Sequence, residues 1–452
     1  MLNTGGLVMR RRVPNVQLRL LLAEAGWTGE ALVRTVNELG VEAGLTLGYQ
    51  RSSVTQWLSG VRPRSPVPEL VAEGLSRALG RRVTVGDTGL GRTGETDLSA
   101  WWGDAVERLA DAGRRALLKG TTYTVAALAV PTWAAVSSSR LGGAGQAAGD
   151  GTPVGRAEAE SAAAMIRVFS DSDTALGGGY ARQALAGYLS TTIAPWLRAD
   201  TAPAVHRELL TTAARLSYLC GFMCFDDELH GSAQQYYLTS LRLAAEGGDG
   251  YGYAIALRAL SVQAHHLGHH PQALDLAESS VRTASAAPAH SRAFLLGQLA
   301  VAQAAVGNRR DAMATLAAAD RHLARSSNSS PAVGAYHPAS LAHQHAATAV
   351  SLGDRATAIR ALASSLRCRP PHERRSRAIT LAQLAELQIA EGRLERACST
   401  WQDFLDDYPL LSSRRADRAM ASLRAHARAH QRNPVARALL ERARSLVTAS
   451  RR

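Results

Sequence analysis

From Gln50 to Arg64 the chain reads QRSSVTQWLSGVRPR, and its residue types sort by position. Val54, Trp57 and Leu58 stand at i, i+3 and i+4, so on a helix they share one face. Arg51, Ser52, Ser53, Thr55 and Gln56 then look outward. These types donate to phosphates and match base edges: the guanidinium fork fits guanine and the carboxamide fits adenine. Arg62 and Arg64, held by Pro63, follow where a nucleic-acid backbone would pass. The chemistry implied is recognition of double-stranded DNA, with Arg51, Ser52, Ser53, Thr55, Gln56, Arg62 and Arg64 as the DNA-binding candidates. The competing reading is a small helical interaction domain whose polar face is merely solvated.

Other stretches carry chemistry-bearing residues with weaker logic. HHLGHH places His265 and His269, or His266 and His270, one helical turn apart, a spacing that suits zinc. Gly268 interrupts that helix and no companion ligand follows, so a polar repeat turn is expected. FDDELH offers Asp226, Asp227 and Glu228 without the alternating spacing and glycine of a calcium loop, and a solvated helix end is expected. GGAGQAAGDG and ALGGGYARQAL lack the Gly-Lys-Ser/Thr of a nucleotide loop. No Gly-x-Ser-x-Gly elbow or Cys-His nucleophile pair stands out, and Asp406 and Asp407 are adjacent and point differently on a helix. No enzyme activity, cofactor or metal is expected.

The elements that must position the first stretch form a helical block. VQLRLLLAEAGW sets Leu18, Leu21 and Leu22 at helical spacing and ends at Gly26. Thr28 can cap GEALVRTVNEL, with Glu30 in the first turn where negative charge suits the helix dipole. VPELVAEGLSRALG places Leu70, Val71, Leu75 and Leu79 on one face and stops at Gly80. VTVGDTGLGRTGET then suggests one short strand or an extended run, followed by a Trp-Trp helix from about Leu98. SSSRLGGAGQAAGDGTPVG reads as a flexible linker.

Beyond the linker the chain repeats. LGHHPQALDLAE, VGNRRDAMATLA, LGDRATAIRALA and EGRLERACSTW each carry an apolar helix, a turn glycine (Gly268, Gly307, Gly353, Gly392) and an alanine five residues on (Ala273, Ala312, Ala358, Ala397). Glycine can take the left-handed conformation that ends a helix. Alanine lets the two helices approach. YLCGFMCFDDELHGSAQQYY fits as an earlier unit, with Gly221 and Ala233 as its small residues, and a last pair runs from about Ser413.

Apolar residues at 46% and charged residues at 20% fit a soluble globular protein. The formal charge of +13 favours an anionic partner, and Lys119 is the only lysine. Cys220, Cys224, Cys368 and Cys398 do not resemble a disulfide framework, so a reducing, cytoplasmic setting is expected. RRALLKGTTYTVAALAVPTWAA, from Arg114, is built like a twin-arginine export signal. It lies about a hundred residues into the chain, is shorter than the ~20 apolar residues a spanning helix needs, and is broken by Pro131. A hinge helix is expected there, and no membrane partner.

TGEALVRTVNEL and RSSVTQWLSGVRPRSPVPELVAEGLSRALG resemble the scanning and recognition helices of the phage-repressor-like (XRE-type) helix-turn-helix regulators. The intervening VEAGLTLGYQ is several residues longer than that family's tight turn. The repeats resemble tetratricopeptide repeats, with alanine spacings of 40, 39, 46 and 39 where that family has 34. The whole chain is similar to the regulators of high-GC Gram-positive bacteria that join these two parts. The resemblance implies an all-α protein: a helix-turn-helix bundle over 13–83, a linker with a hinge helix and apolar segment over 84–157, and an α-solenoid of degenerate tetratricopeptide-like hairpins over 158–452. It also implies transcriptional control, two half-sites read by a homodimer, and a peptide, small-molecule or protein ligand in the repeat groove. The alternative is an interaction scaffold, exported or membrane-associated through the Arg114 segment.

Overall fold

The computed structural model describes residues 13–42, 45–64, 66–81, 83–90, 106, 109, 123–128, 130–139, 154–326 and 336–449. Every regular element among them is a helix. The chain divides into two compact units, Met1–Trp101 with Lys119–Val130, and Trp102–Leu118 with Pro131–Arg452. The segment 84–157 therefore contributes to both units. The expected Trp-Trp helix and the twin-arginine stretch 114–122 lie outside the described residues. No helix among the described residues is long and apolar enough to cross a membrane.

In the first unit, α1 (Val16–Glu24), α2 (Gly29–Glu42), α3 (Arg51–Leu58) and α4 (Val67–Leu79) enclose one core. Leu18, Leu32, Val36, Val54, Trp57, Leu70 and Leu75 are its buried centre. The start and stop signals act as their chemistry requires. Thr28 Oγ1 accepts from the Ala31 amide at 3.2 Å, and Gly80 ends α4 in the left-handed conformation at φ 61°. Where an extended run or strand was expected after α4, the described residues form a turn. Thr84 N–H donates to Asp87 Oδ2 at 2.8 Å, and Asp87 N–H donates back to Thr84 Oγ1 at 3.1 Å.

The second unit is an α-solenoid. A short helix α5 (Trp133–Ser139) and the pair α6 (Arg156–Leu176) and α7 (Gly178–Tyr188) come first, with α7 carried on through a π-turn to Arg198. Six hairpins follow: α8 (Pro203–Asp226) with α9 (His230–Gly247), α10 (Gly250–His266) with α11 (His270–Thr283), α12 (Ala289–Ala305) with α13 (Arg309–Ala324), α14 (Pro338–Ser351) with α15 (Arg355–Cys368), α16 (Arg374–Ala390) with α17 (Leu394–Asp407), and α18 (Arg414–Ala429) with α19 (Pro434–Ala449).

Gly268, Gly307, Gly353 and Gly392 hold φ of 83°, 86°, 78° and 72° in the hairpin turns. In the first hairpin Glu228 takes the equivalent place at φ 56°, five residues before Ala233. All five alanines of the pattern are fully buried. Gly221 is equally constrained, since a Cβ there would lie 2.7 Å from the Tyr237 ring. The repeat exceeds 34 residues because its helices are long and their connections unequal. The 46-residue step contains the connection between Ala324 and Pro338.

Seven residues after each alanine except Ala397, where Phe404 stands, a second small position recurs. There Ser240, Ser280 and Ser365 donate from Oγ to the carbonyls of Ala214, Ala254 and Ala339, at 2.8, 2.8 and 2.7 Å. Each acceptor lies 26 residues upstream, on the hairpin's own first helix. The third hairpin has a buried Ala319 at this position.

The row of hairpins closes on itself. α6 packs against both α8 and α16. Arg375 on α16 donates to Asp173 on α6 at 3.1 Å and lies 3.9 Å from Asp226 at the end of α8. Arg414, Arg415 and Arg418 on α18 reach Asp227, Asp226 and Glu228 at 3.9, 3.9 and 2.8 Å. The FDDELH stretch is thus not the solvated helix end expected of it. Asp226 is fully buried, and four basic side chains from α16 and α18 converge on it and its two neighbours.

The ALGGGYARQAL glycines belong to the same closure. A Cβ on Gly177, Gly178 or Gly179 would meet Ser412 O, Met223 O or Ser412 Oγ at 2.5–2.6 Å. Gly178 N–H donates to Asp226 Oδ2 at 3.0 Å. In HHLGHH, α10 ends at His266 and α11 begins at His270. The His265 and His270 rings stack 5.3 Å apart, and no group of three or more His, Cys, Asp or Glu side chains among the described residues could hold a metal ion.

Candidate nucleic-acid interface

The seven candidate residues lie on α3 and the turn after it. Val54 and Trp57 are buried and Leu58 is half-buried, which fixes the helix's orientation. Trp57 meets Tyr49 edge to face at 5.5 Å.

With that face inward, Arg51, Ser52, Thr55 and Gln56 are exposed, as are Arg62 and Arg64. Ser53 differs. It is half-buried, and its Oγ accepts from the Gln50 amide at 3.4 Å at the helix start. Four exposed residues on α3 and two arginines on the turn therefore form one polar surface. The turn itself is set by Gly60, whose φ of 96° and close approach to the Val13 carbonyl (2.2 Å from an added Cβ) exclude a side chain.

The long connection between α2 and α3 is pinned rather than loose. Asn37 on α2 donates from Nδ2 to the Tyr49 carbonyl and accepts from the Tyr49 amide on Oδ1, both at 3.1 Å. Leu47 packs onto Gly40, where a Cβ would lie 2.5 Å from its Cδ1. These contacts replace the tight turn that the sequence lacks, and Asn37 and Tyr49 are the residues that sequence reasoning did not single out. An Asn one turn before the end of α2, and an aromatic next to the α3 cap, were the available signals.

The electrostatics are mixed. Arg51 Nη1 lies 3.4 Å from Glu30 Oε1, with both side chains mostly exposed. A depression of about 470 Å³ between α2 and this connection is lined by Glu30, Arg34, Glu38 and Arg51 among others. From Val13 to Leu90 there are eight arginines and seven carboxylates, so the local placement of Arg51, Arg62 and Arg64 matters more than the block's total charge. From Arg414 to Arg452, by contrast, eleven arginines face two carboxylates. The chain's positive excess resides mostly there.

By fold, the chain joins an all-helical N-terminal block to an α-solenoid. Residues 18–91 match the family model described as the SP15 N-terminal domain, which covers that block and the turn after α4. No curated protein matches the chain.

Proposed function

We propose that the protein is a sequence-reading, DNA-binding transcriptional regulator whose helical solenoid senses a ligand or partner. The observation that carries this reading is α3. One of its faces is locked into the core by Val54 and Trp57, while Arg51, Ser52, Thr55 and Gln56 stand exposed on the other. A helix held in this way can enter a major groove with its polar row against base edges, while Arg62 and Arg64 meet phosphates. Two such helices brought together by dimerisation would read two half-sites. A ligand would alter that spacing only if it binds one arrangement better than the other.

Two substitutions separate reading from holding. Gln56→Ala should relax the preference at one base position by ~1–3 kcal/mol. Arg62→Ala should weaken binding to all duplexes alike and lower the salt slope by about one unit. Fluorescence anisotropy on specific and scrambled duplexes across a salt series checks both; wild-type behaviour in both variants sinks the assignment. The second reading is an interaction scaffold in which the solenoid does the work and α3 is a solvated face. The near balance of charge in the first block favours it, and it predicts equal, weak affinity for every duplex.

A further inference from the structure

The first helices of the hairpins line the inside of the closed row, and most charged side chains there are compensated. Arg375 and Arg415 share Asp173 and Asp226. Arg369 pairs with Glu373 at 2.6 Å, and Glu373 also meets His337 at 2.7 Å. Arg258 on α10 is different. Its guanidinium lies 3.6 Å over the Phe294 ring on α12, and its Nε donates to the Phe294 carbonyl at 3.0 Å. With the Gln344 amide oriented to suit its neighbours, the Gln344 oxygen accepts from Arg258 Nη2 at 3.1 Å.

Among the described residues no carboxylate comes within ion-pair distance of Arg258, and Nη1 has no hydrogen-bond partner. Burial lowers its affinity for the proton, yet an arginine stays charged. The plane of this half-buried cation is fixed by an aromatic ring and a carbonyl, and its free Nη1 is open to solvent, where an anion can meet it.

We infer that Arg258 is the anchor of a ligand site inside the solenoid, taking the carboxylate of a small molecule whose flat apolar body rests against the Phe294 and Tyr336 edge-to-face pair. The one free donor group of Arg258, Nη1, matches a single negative charge. A phosphate would require further donors, and the buried Arg375 on α16 is committed to Asp173. The inference rests on the reading of the solenoid as a sensor and names the chemistry it would sense.

Isothermal titration calorimetry on the full chain tests it with four probes: phenylacetate, phenylacetamide, acetate and inorganic phosphate. Phenylacetate is expected to bind with a Kd of ~1 mM or tighter, and the other three roughly tenfold more weakly or not at all. Arg258→Gln should weaken phenylacetate about tenfold while leaving phenylacetamide unchanged. Arg258→Lys, which keeps the charge but not the planar fork, should weaken it by a smaller factor than Gln. Equal binding of the amide and the acid, tighter binding of phosphate, or undiminished binding to a folded Arg258→Gln would overturn the inference, as would the absence of any phenylacetate heat. DNA binding is read separately through α3, so loss of that reading leaves the calorimetric result standing, and the reverse.

Discussion

On the proposed DNA-reading surface, Arg51 is paired with one acidic neighbour, Glu30. Their 3.4 Å pair is exposed on both sides, and such pairs contribute ~0.2–1 kcal/mol. Removing the acid frees the guanidinium and takes a negative charge away from the proposed phosphate path. Glu30→Gln should therefore tighten binding to every duplex by roughly 1.5- to 5-fold at low salt, with the gain fading as salt is raised. Anisotropy at two salt concentrations measures this, and unchanged or weaker binding places the DNA elsewhere. Ser53 belongs to the frame, because its hydroxyl serves the start of α3. Its loss should leave base preference intact.

The element scale is where the α2–α3 connection and the hairpins are decided. Asn37→Ala removes both side-chain bonds to Tyr49, and each such bond contributes about 1 kcal/mol. Hydrogen exchange at the Tyr49 amide and the first turn of α3 should accelerate roughly tenfold or more, while α4 keeps its protection. Unaltered exchange would mean that Leu47 against Gly40 suffices. In the solenoid, Ser280→Ala loses the bond to the Ala254 carbonyl and should destabilise by about 1 kcal/mol. Ser280→Leu should cost more, since the site is fully packed and overfilling costs ~1–3 kcal/mol. Chemical denaturation of the two variants gives the order, and the reverse order would contradict the packing account.

For the whole molecule, ring closure couples stability to pH. His343 on α14 is held down to about 4 by burial and by the nearby Arg369 and Arg415, so it stays neutral in the fold. The unfolded chain takes up that proton below pH ~6.5. Stability should thus fall as pH drops from about 6.5 to 4, by up to ~1.4 kcal/mol per pH unit for this residue. Asp173 acts in the opposite sense. Burial raises its carboxyl to about 6, so its contribution is present at low pH and is lost as pH rises through 6. His343→Gln should reduce the acid-side slope in thermal melts between pH 7.5 and 4.5, leaving the part that the buried His265 and His266, held down to about 4 and about 3, contribute in the same sense. A slope identical to wild type would place the titration on other groups.

The helices of both units, the turn glycines and the buried alanines were legible because each is a local signal: a 3.6-residue period, a left-handed turn or a small residue at a helix crossing. The closure was not. Asp173 and Arg375 are 202 residues apart, and nothing local says that Gly177 to Gly179 must clear Ser412 and Met223. The serines seven residues after Ala233, Ala273 and Ala358 were readable in principle, since they share a spacing. The exposed set on α3 was legible from Val54, Trp57 and Leu58, whereas the Asn37 clasp needed the fold.

The measurement closest to the central claim is capture of fragmented genomic DNA by the purified protein, with an Arg51→Ala, Gln56→Ala double variant alongside. The account predicts a few strongly enriched sites for wild type that the folded variant does not retain. Weak, salt-sensitive retention of every fragment by both proteins would contradict it and leave the solenoid, not α3, as the working surface.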